Sequence, residues 1–433
     1  MKLLGLFLIL LAIMFPAYWF FGLVPRYPDA ALFSQYLGAT ALVSMGIGQF
    51  LITRLPGLES VFGGQDRIYV LHKWLAVFAL VCLGLHDIID AEIDGLGRET
   101  LIADIAEDVG EIAYYGLLIL GIVTITTFIP YHLWRWSHKF VGAFFALGAF
   151  HFIFILKPFS LDDLLGMYVL AFCILGLVSY VYMIVFYAVV PGPEKYEVTK
   201  IIRHTDIAEI TLKPLGRGVR HRAGQFAFIG FEAPDLSEIH PYTISAAASK
   251  TRELSFAIKA AGPFTDNLVR SLQVGVSASV HGAFGRFLKE RSKSPQIWIA
   301  GGIGVTPFLS WLRNNNMADH APIEFFYCVR GQSETPFIAE LKEIADAIPA
   351  LSFHLVDSAS DGRLDAEKIT KAVRFSPSKA HVYFCGPERM GDMIRTELIS
   401  SGLPGSHFHR EAFEIRSGIN VLHTIKWIKN LFG

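Results

Sequence analysis

Residues 68–87 read IYVLHKWLAVFALVCLGLHD, and this run decides the architecture of the first half of the chain. It has the length and apolar character that an α-helix needs to cross a bilayer. It also carries His72 near one end and His86 near the other. Ionisable side chains at membrane depth are costly and are a mark of function. The two histidines are 14 residues apart, about 21 Å of helical rise and only about 40° of rotation. A second run, residues 138–157, carries His138 and His151, 13 residues and about 19.5 Å apart. Two such helices running in the same direction offer histidine at two matched heights, the ligand set of two stacked bis-histidine haem sites. The inner site pairs His72 with His138 and the outer site pairs His86 with His151. Thirteen residues of ideal helix leave His138 and His151 about 140° apart. The fifth span must therefore kink, bulge or begin irregularly, and Gly142 and Gly148 are available for that. Phe78, Phe144 and Phe145 lie midway between the histidines. They either fill the space between the sites or pack as ordinary apolar side chains. His132 reads as an interfacial side chain.

Working outward, six candidate spans appear, at about 3–24, 31–53, 68–87, 112–134, 138–157 and 165–190. The first has a long apolar run, a lone early Lys2 and no small-residue cleavage site, so it reads as a retained helix and not a signal peptide. With the N-terminus cytoplasmic, the inner segments carry Lys2, Arg54, Arg67, Lys73, Arg135, Lys139, Lys195 and Lys200. The outer ones carry Arg26, Arg98 and Lys157, which is the positive-inside bias. The outer loop 87–111 holds nine acidic residues and one basic. Six spans return the chain to the cytoplasm, where Pro191-Gly192-Pro193 marks a boundary.

Composition changes there. Residues 1–190 hold 9 Lys+Arg and 14 Asp+Glu, whereas residues 191–433 hold 29 and 25. The first part is membrane-like and the second has an ordinary soluble composition. The net charge of −1 gives no case for a nucleic-acid partner. Cys82, Cys173, Cys328 and Cys385 have no metal-type spacing, and a disulfide framework is excluded.

From about 194 the pattern turns to short β-rich segments broken by Gly and Pro: 197–212, 225–231, 242–247, 254–259 and 278–281. These predict an antiparallel barrel. From about 295 strands alternate with helices. The strands at 297–300, 323–329, 351–356 and 381–385 lead to helices near 306–315, 337–347, 365–373 and 389–401. That alternation predicts a doubly wound parallel sheet. The strand 297–300 runs into Gly301-Gly302-Ile303-Gly304-Val305-Thr306-Pro307. Glycines between a strand and a helix let backbone N–H groups approach phosphates, and Pro307 suits a first helical turn. The last glycine of the dinucleotide fingerprint is absent.

His240-Pro241-Tyr242-Thr243-Ile244-Ser245 resembles the flavin motif of the NADPH oxidase and ferric reductase family. Gly262-Pro263-Phe264-Thr265 resembles its second, phosphate-contacting flavin motif. Gly301–Pro307 and Cys385-Gly386-Pro387 resemble its nicotinamide-dinucleotide motifs, and the paired histidines resemble its two-haem core. The resemblance runs from the second span to about residue 416. It implies a multi-domain membrane protein: a six-helix transmembrane haem bundle (1–190), an antiparallel β-barrel FAD domain (194–290) and an α/β doubly wound NAD(P)-binding domain (295–416). A C-terminal tail, 417–433, follows.

The resemblance also implies roles. Tyr242 lies against the flavin ring and Thr243 bonds near its reactive nitrogen. His240, Lys259 and the 262–265 turn face the pyrophosphate, with Ser245 in the same motif; Lys259 as a solvated barrel charge is an equal alternative. Cys385 sits by the nicotinamide. Arg330, at the end of the second parallel strand, meets a 2′-phosphate and with Gln332 and Ser333 favours NADPH over NADH; otherwise it is a solvated loop residue. Phe413 is the aromatic that covers the flavin, although in the family the chain ends there and here it continues. In the tail, Val421, Leu422, Ile425, Ile428 and Phe432 share one helical face, with Lys426 and Lys429 off it. This amphipathic pattern docks on the inner membrane surface or the enzyme's underside, or awaits a partner.

The implied cofactors are FAD, NADPH or NADH, and two b-type haems. The implied activity is electron transfer from cytoplasmic NADPH to a small-molecule acceptor on the outer face, oxygen giving superoxide or a ferric chelate. A haem-free membrane-anchored flavin reductase and a transporter with a flavin sensor domain are the alternatives. No regulatory subunit or calcium-binding loop is evident, which suggests a constitutive enzyme of a bacterial cytoplasmic membrane.

Overall fold

The computed structural model describes residues 3–55, 57–89, 93, 96, 100–125, 129, 131–186, 192–289, 294–314, 321–331 and 336–411. Phe413, Gln332, Ser333 and the tail 417–433 lie outside the described residues. The chain divides into two compact units, one holding the helical part up to Pro191 and the other spanning Gly192–Glu414.

The first unit contains α1 (Leu3–Leu23), α2 (Asp29–Leu51), α3 (Leu58–Phe62), α4 (Gln65–Ile88), α5 (Leu101–Ile125), α6 (Tyr131–His138), α7 (Val141–Phe154) and α8 (Leu164–Val181). Among the described residues five helices are long and apolar enough to cross a membrane: 3–23, 29–51, 67–88, 133–154 and 164–186. The expected span at 112–134 is not one of them. Its first part completes α5, which begins at Leu101 and carries Asp104, Glu107, Asp108 and Glu111 on its early turns. Those four carboxylates were expected in an outer loop and are instead exposed on a helix.

Helix α2 is the centre of the bundle. It is rich in Ala, Ser and Gly, and 15 of its 23 residues are buried. Small residues let helices approach closely where lipid offers no hydrophobic drive. A Cβ on Gly46 would stand 2.4 Å from the Phe172 carbonyl on α8, and Gly176 of α8 meets Gly46 in turn. The outside of the unit is apolar. Of the large hydrophobic side chains left exposed, all but Ile202, Leu215 and Val274 lie between Leu3 and Phe186, among the described residues. Such a surface suits lipid and is foreign to water. The chain is a membrane protein.

In the second unit a six-stranded antiparallel sheet has the order β4-β3-β6-β1-β2-β5. Its strands are β1 (Glu194–Arg203), β2 (Ile207–Pro214), β3 (Phe226–Phe231), β4 (His240–Thr243), β5 (Leu254–Lys259) and β6 (Ser277–Phe284). The segment 197–212, expected as one strand, is a hairpin that turns at His204–Asp206, a turn that neither Gly nor Pro marks. The two edges come together where Ile244 bridges Phe256, so the sheet is nearly a closed barrel. Its core is Tyr196, Val198, Ile210, Leu212, Ile229, Phe231, Phe256 and Ile258, with α9 (Pro263–Ser271) covering it through Leu268 and Val269.

A five-stranded parallel sheet follows, in the order β11-β10-β7-β8-β9. The strands are β7 (Gln296–Gly301), β8 (Ile323–Val329), β9 (Leu351–Asp357), β10 (His381–Cys385) and β11 (Phe408–Glu411), the last of which the sequence did not predict. Helices α10 (Thr306–Arg313) and α11 (Ile338–Asp346) pack on one face with Trp298, Phe325 and Tyr327. Helices α12 (Ala366–Ala372) and α13 (Glu388–Ser400) pack on the other with Ile297, Ile299 and Phe384. The winding direction therefore reverses at β7, and the crevice between the C-terminal ends of β7 and β10 is the switch point where such sheets bind ligands.

Candidate functional site

The four membrane histidines share one hydrogen-bonding logic. His72 Nδ1 lies 2.9 Å from the carbonyl of Gly48 on α2, and His151 Nδ1 lies 2.8 Å from the carbonyl of Ala106 on α5. A carbonyl only accepts, so each Nδ1 donates. His86 Nδ1 lies 2.9 Å from Ser34 Oγ, whose own hydrogen goes to the Ile89 carbonyl at 2.8 Å. His138 Nδ1 lies 3.3 Å from Thr124 Oγ1, which donates to the Leu120 carbonyl at 2.7 Å. In all four the proton belongs on Nδ1, which leaves Nε2 with its lone pair. Second partners of this kind fix the tautomer of a metal-binding imidazole.

The rings are also placed in pairs. The centroids of His72 and His138 are 6.3 Å apart with planes at 80°. Two metal–nitrogen bonds of about 2 Å each, plus the half-width of each ring, span such a gap. His86 is held from α2 and His151 from α5. Gly110 makes room for the second pair: a Cβ there would stand 2.4 Å from His151 Nδ1. Trp134 stacks on His138 at 5.3 Å and 25°. The donor set, and the ring spacing of His72 and His138, are of the kind a bis-histidine haem site requires.

The fifth span is interrupted just after its first histidine. Helix α6 ends at His138 and α7 starts at Val141, with Lys139 and Phe140 in a turn between them. Neither Gly142 nor Gly148 is the hinge. Gly142 instead admits the Tyr180 ring, which a Cβ would meet at 2.1 Å. Phe145 is fully buried against Gly176, Phe144 lies on Gly116, and Phe78 is half-exposed. The sequence reading missed Ser34, Gly48, Ala106, Gly110 and Thr124. One signal was present: Ser34 and Gly48 have the same spacing along the chain as His72 and His86, as two antiparallel helices require.

In the second unit, β4 carries His240 to Thr243, paired with β3 through Thr243 and Phe226. The expected strand 242–247 is shorter and starts earlier. Thr243 is 4% exposed, and its hydroxyl has no hydrogen-bond partner among the described residues; nor does the buried Tyr242 hydroxyl. Burial and the Glu238 carboxylate push the Tyr242 phenol well up, so it stays protonated. Two orphaned buried hydroxyls on one strand fit the polar edge of a bound ring system. His240 stacks on Phe264 at 4.3 Å and is held by Glu238 at 2.9 Å, which brings the two motifs at 240–245 and 262–265 together. Thr265 Oγ1 accepts from the backbone N–H groups of Ala261 and Gly262 and shapes the turn at the start of α9, where Pro263 opens the helix. Lys259 pairs with Asp206 at 3.0 Å.

At the switch point the glycines permit backbone contact. A Cβ on Gly304 would stand 2.3 Å from the Cys385 carbonyl, and one on Gly301 would stand 2.7 Å from Pro387. Gly302 adopts φ +56°, and Ile303 and Val305 lie with it in a 3-10 turn that leads into Thr306 and Pro307 of α10. The turn 301–307 and the segment 385–387 thus form one surface. Cys385 is wholly buried, and that burial, with Glu411, raises its thiol far above the ordinary range, so it is an inert thiol and not a nucleophile. Arg330 is exposed just beyond β8. Arg313 ties α10 to the barrel, bonding Glu340 at 2.6 and 2.7 Å and the Ser245 carbonyl at 3.2 Å, and Ser310 bonds the Ala246 carbonyl.

Residues 37–149 match the family described as Ferric reductase like transmembrane component. Residues 195–305 match the FAD-binding domain family and residues 298–396 the Oxidoreductase NAD-binding domain. The reductase component of propane 2-monooxygenase from Mycolicibacterium smegmatis is 28% identical over 223 residues, 48% of this chain and 64% of that protein. The glycine betaine monooxygenase reductase subunit of Chromohalobacter salexigens is 27% identical over 208 residues, 44% of this chain and 56% of that protein. The chain thus spans less than two thirds of either relative. The FAD/NAD-binding domain of nitric oxide dioxygenase from Vibrio cholerae aligns at a TM-score of 0.44 and 20% identity, over 51% of this chain and 98% of that one. Residues 195–396 thus carry an FAD-binding domain followed by an oxidoreductase NAD-binding domain. With a ferric-reductase-like transmembrane component, an FAD-binding domain and an NAD-binding domain in that order, the chain has the architecture of the NADPH oxidase and ferric reductase family.

Proposed function

We propose that the chain moves electrons from cytoplasmic NADPH, or NADH, across a bacterial cytoplasmic membrane to a small-molecule acceptor on the outer face, reducing oxygen to superoxide. Bound FAD supplies hydride acceptance and release of single electrons, and two b-type haems supply one-electron relay. The residues bind, orient and insulate. Thr243 and Tyr242 meet the flavin with their orphaned hydroxyls, and His240, the 262–265 turn and Ser245 hold its remainder. The 301–307 turn and Gly386-Pro387 receive the dinucleotide, and the backbone contact between Gly304 and Cys385 keeps the two loops in register. His72 and His138 hold the inner haem, and His86 and His151 the outer one. The observation that carries the reading is a shared contact: four membrane histidines, each with Nδ1 held against an oxygen of a neighbouring helix, an arrangement that leaves Nε2 to ligate.

Oxygen is favoured over an anionic ferric chelate by the exposed Asp104, Glu107, Asp108 and Glu111, which share α5 with the His151 partner Ala106. Negative charge beside an exit site repels an anion and tolerates a neutral gas. Purified full-length protein should show a sharp Soret band and low-spin reduced bands. Its NADPH oxidation in air at low salt should exceed that with ferric citrate and give a signal sensitive to superoxide dismutase. Faster turnover with the chelate and no such signal overturns the oxygen assignment in favour of ferric reduction. Flavin absorbance without a Soret band overturns the haem path.

A further inference from the structure

Each proposed haem site is anchored asymmetrically. One imidazole of each pair leans on a backbone carbonyl, and the other leans on a side-chain hydroxyl. His72 and His151 donate to Gly48 and Ala106, whereas His138 and His86 donate to Thr124 and Ser34. No side-chain substitution deletes a carbonyl, but one substitution deletes a hydroxyl. We propose that Ser34 and Thr124 are positioning residues, one per site, that set the electron affinity of the outer and inner haem separately. The proposal rests on the bis-histidine reading above.

The physical basis is the single hydroxyl hydrogen. Ser34 is fully buried, and its hydrogen is committed to the Ile89 carbonyl at 2.8 Å, with the His86 carbonyl at 3.1 Å. Its oxygen therefore accepts from His86 Nδ1–H. Thr124 donates back to Leu120, four residues earlier, and accepts from His138 in the same way. Removing one partner of a buried hydrogen bond leaves the other unsatisfied. Accepting a hydrogen bond from the far nitrogen raises the basicity of the ligating one, and a more basic ligand favours ferric over ferrous iron. Removing the acceptor should raise the midpoint potential of that haem and leave the other unchanged. The 2.9 Å bond to Ser34 is shorter than the 3.3 Å bond to Thr124, so the outer haem should move further. A purely structural role, capping the last turn of α4 by Ser34, predicts no such site-by-site split.

The test is a redox titration of full-length protein in detergent, with the α-band resolved into two components and g-values read by electron paramagnetic resonance. Thr124→Val and Ser34→Ala should each keep two haems per chain and raise one midpoint, a different one in each variant. A tenfold change in the preference for ferric over ferrous iron would move that midpoint by about 59 mV for a one-electron couple. Thr124→Ser should restore the wild-type potential. Unchanged midpoints and g-values in both variants, while His72→Ala still removes a haem, overturn the proposal and leave the haem reading intact. Equal movement of both haems in either variant overturns it too, as does loss of a haem in Ser34→Ala without a shift in Thr124→Val. Wild-type protein without haem refutes both.

Discussion

Substituting Gly304 tests whether the contact between the 301–307 turn and the 385–387 segment positions the dinucleotide. An alanine Cβ there would stand 2.3 Å from the Cys385 carbonyl oxygen, 2.6 Å from its carbon and 2.9 Å from Gly386 N. Ordinary contact begins at 3.4 Å, and the opposing atoms are backbone. The two loops must therefore part by roughly 1 Å, a strain of about 1–3 kcal/mol. The sheet can absorb that, because β7 and β10 are paired along their length from Gln296 to Ala300. Chemistry tolerates it less: a misplacement of about 1 Å costs on the order of a hundredfold in rate, or about 2.7 kcal/mol. Gly304→Ala should thus lower the stopped-flow rate of flavin reduction by NADPH about a hundredfold, with FAD content and the haem spectrum retained. Gly302→Ala is the control. Its Cβ meets nothing within 4 Å, and only its φ of +56° is strained, by about 1–2 kcal/mol. Its effect on the rate should be several-fold at most. A wild-type rate and KM for NADPH in Gly304→Ala, or a larger defect in Gly302→Ala, would refute the argument.

Four further outcomes follow from the same geometry. His72→Ala or His138→Ala should remove one haem, and His86→Ala or His151→Ala the other, with NADPH-driven flavin reduction surviving; haem content measured as two per chain in any of them would discard that ligand assignment. Thr243→Ala should weaken FAD binding or slow its reduction while leaving the haem spectrum alone, checked by FAD titration of the stripped protein. Gly110→Ala places a Cβ 2.4 Å from His151 Nδ1 and should displace that ring from Ala106; the spectrum should lose or shift one haem and keep the other. Arg313→Met removes charged hydrogen bonds that join α10 to Glu340 and the Ser245 carbonyl. It should destabilise the second unit by about 2 kcal/mol, seen as earlier flavin release in a thermal ramp.

The sequence disclosed what repeats along one element and hid what depends on two. Strand–helix alternation after residue 295 specified the parallel sheet, because each strand needs both faces covered. It did not reveal β11, a short strand whose pairing to β10 supplies the order. The hairpin at His204–Asp206 was invisible because neither Gly nor Pro marks it. The spacing of His72 and His86 was legible because it nearly closes a whole number of helical turns. Their partners were not, since Ser34 and Gly48 are ordinary residues for a packed membrane helix. Likewise the acidic run before residue 112 read as loop, and four of its carboxylates proved to ride on the exposed side of α5.

The fifth span shows why a conflict in a sequence pattern is itself information. The spacing of His138 and His151 on a straight helix would turn them to different neighbours. Helix α6 ends at His138 and α7 starts at Val141, so the regular helical register is interrupted between the two histidines. The angle between the two side chains is then no longer fixed by ideal helical geometry. The partners record the result. On α2 the two anchors, Ser34 and Gly48, keep the spacing of His72 and His86 on the unbroken α4. On α5 the anchors Ala106 and Thr124 stand further apart along the chain than His138 and His151 do. Glycine was the obvious suspect for such a break, but Gly142 and Gly148 stand inside α7 and serve packing, Gly142 under Tyr180 and Gly148 against Leu42. The turn at Lys139 and Phe140 lies beside a histidine whose second nitrogen is committed to Thr124. A ligand held from a neighbouring helix can end its own helix without losing its aim, and that freedom lets the shorter histidine spacing of the fifth span serve beside the longer one of α4.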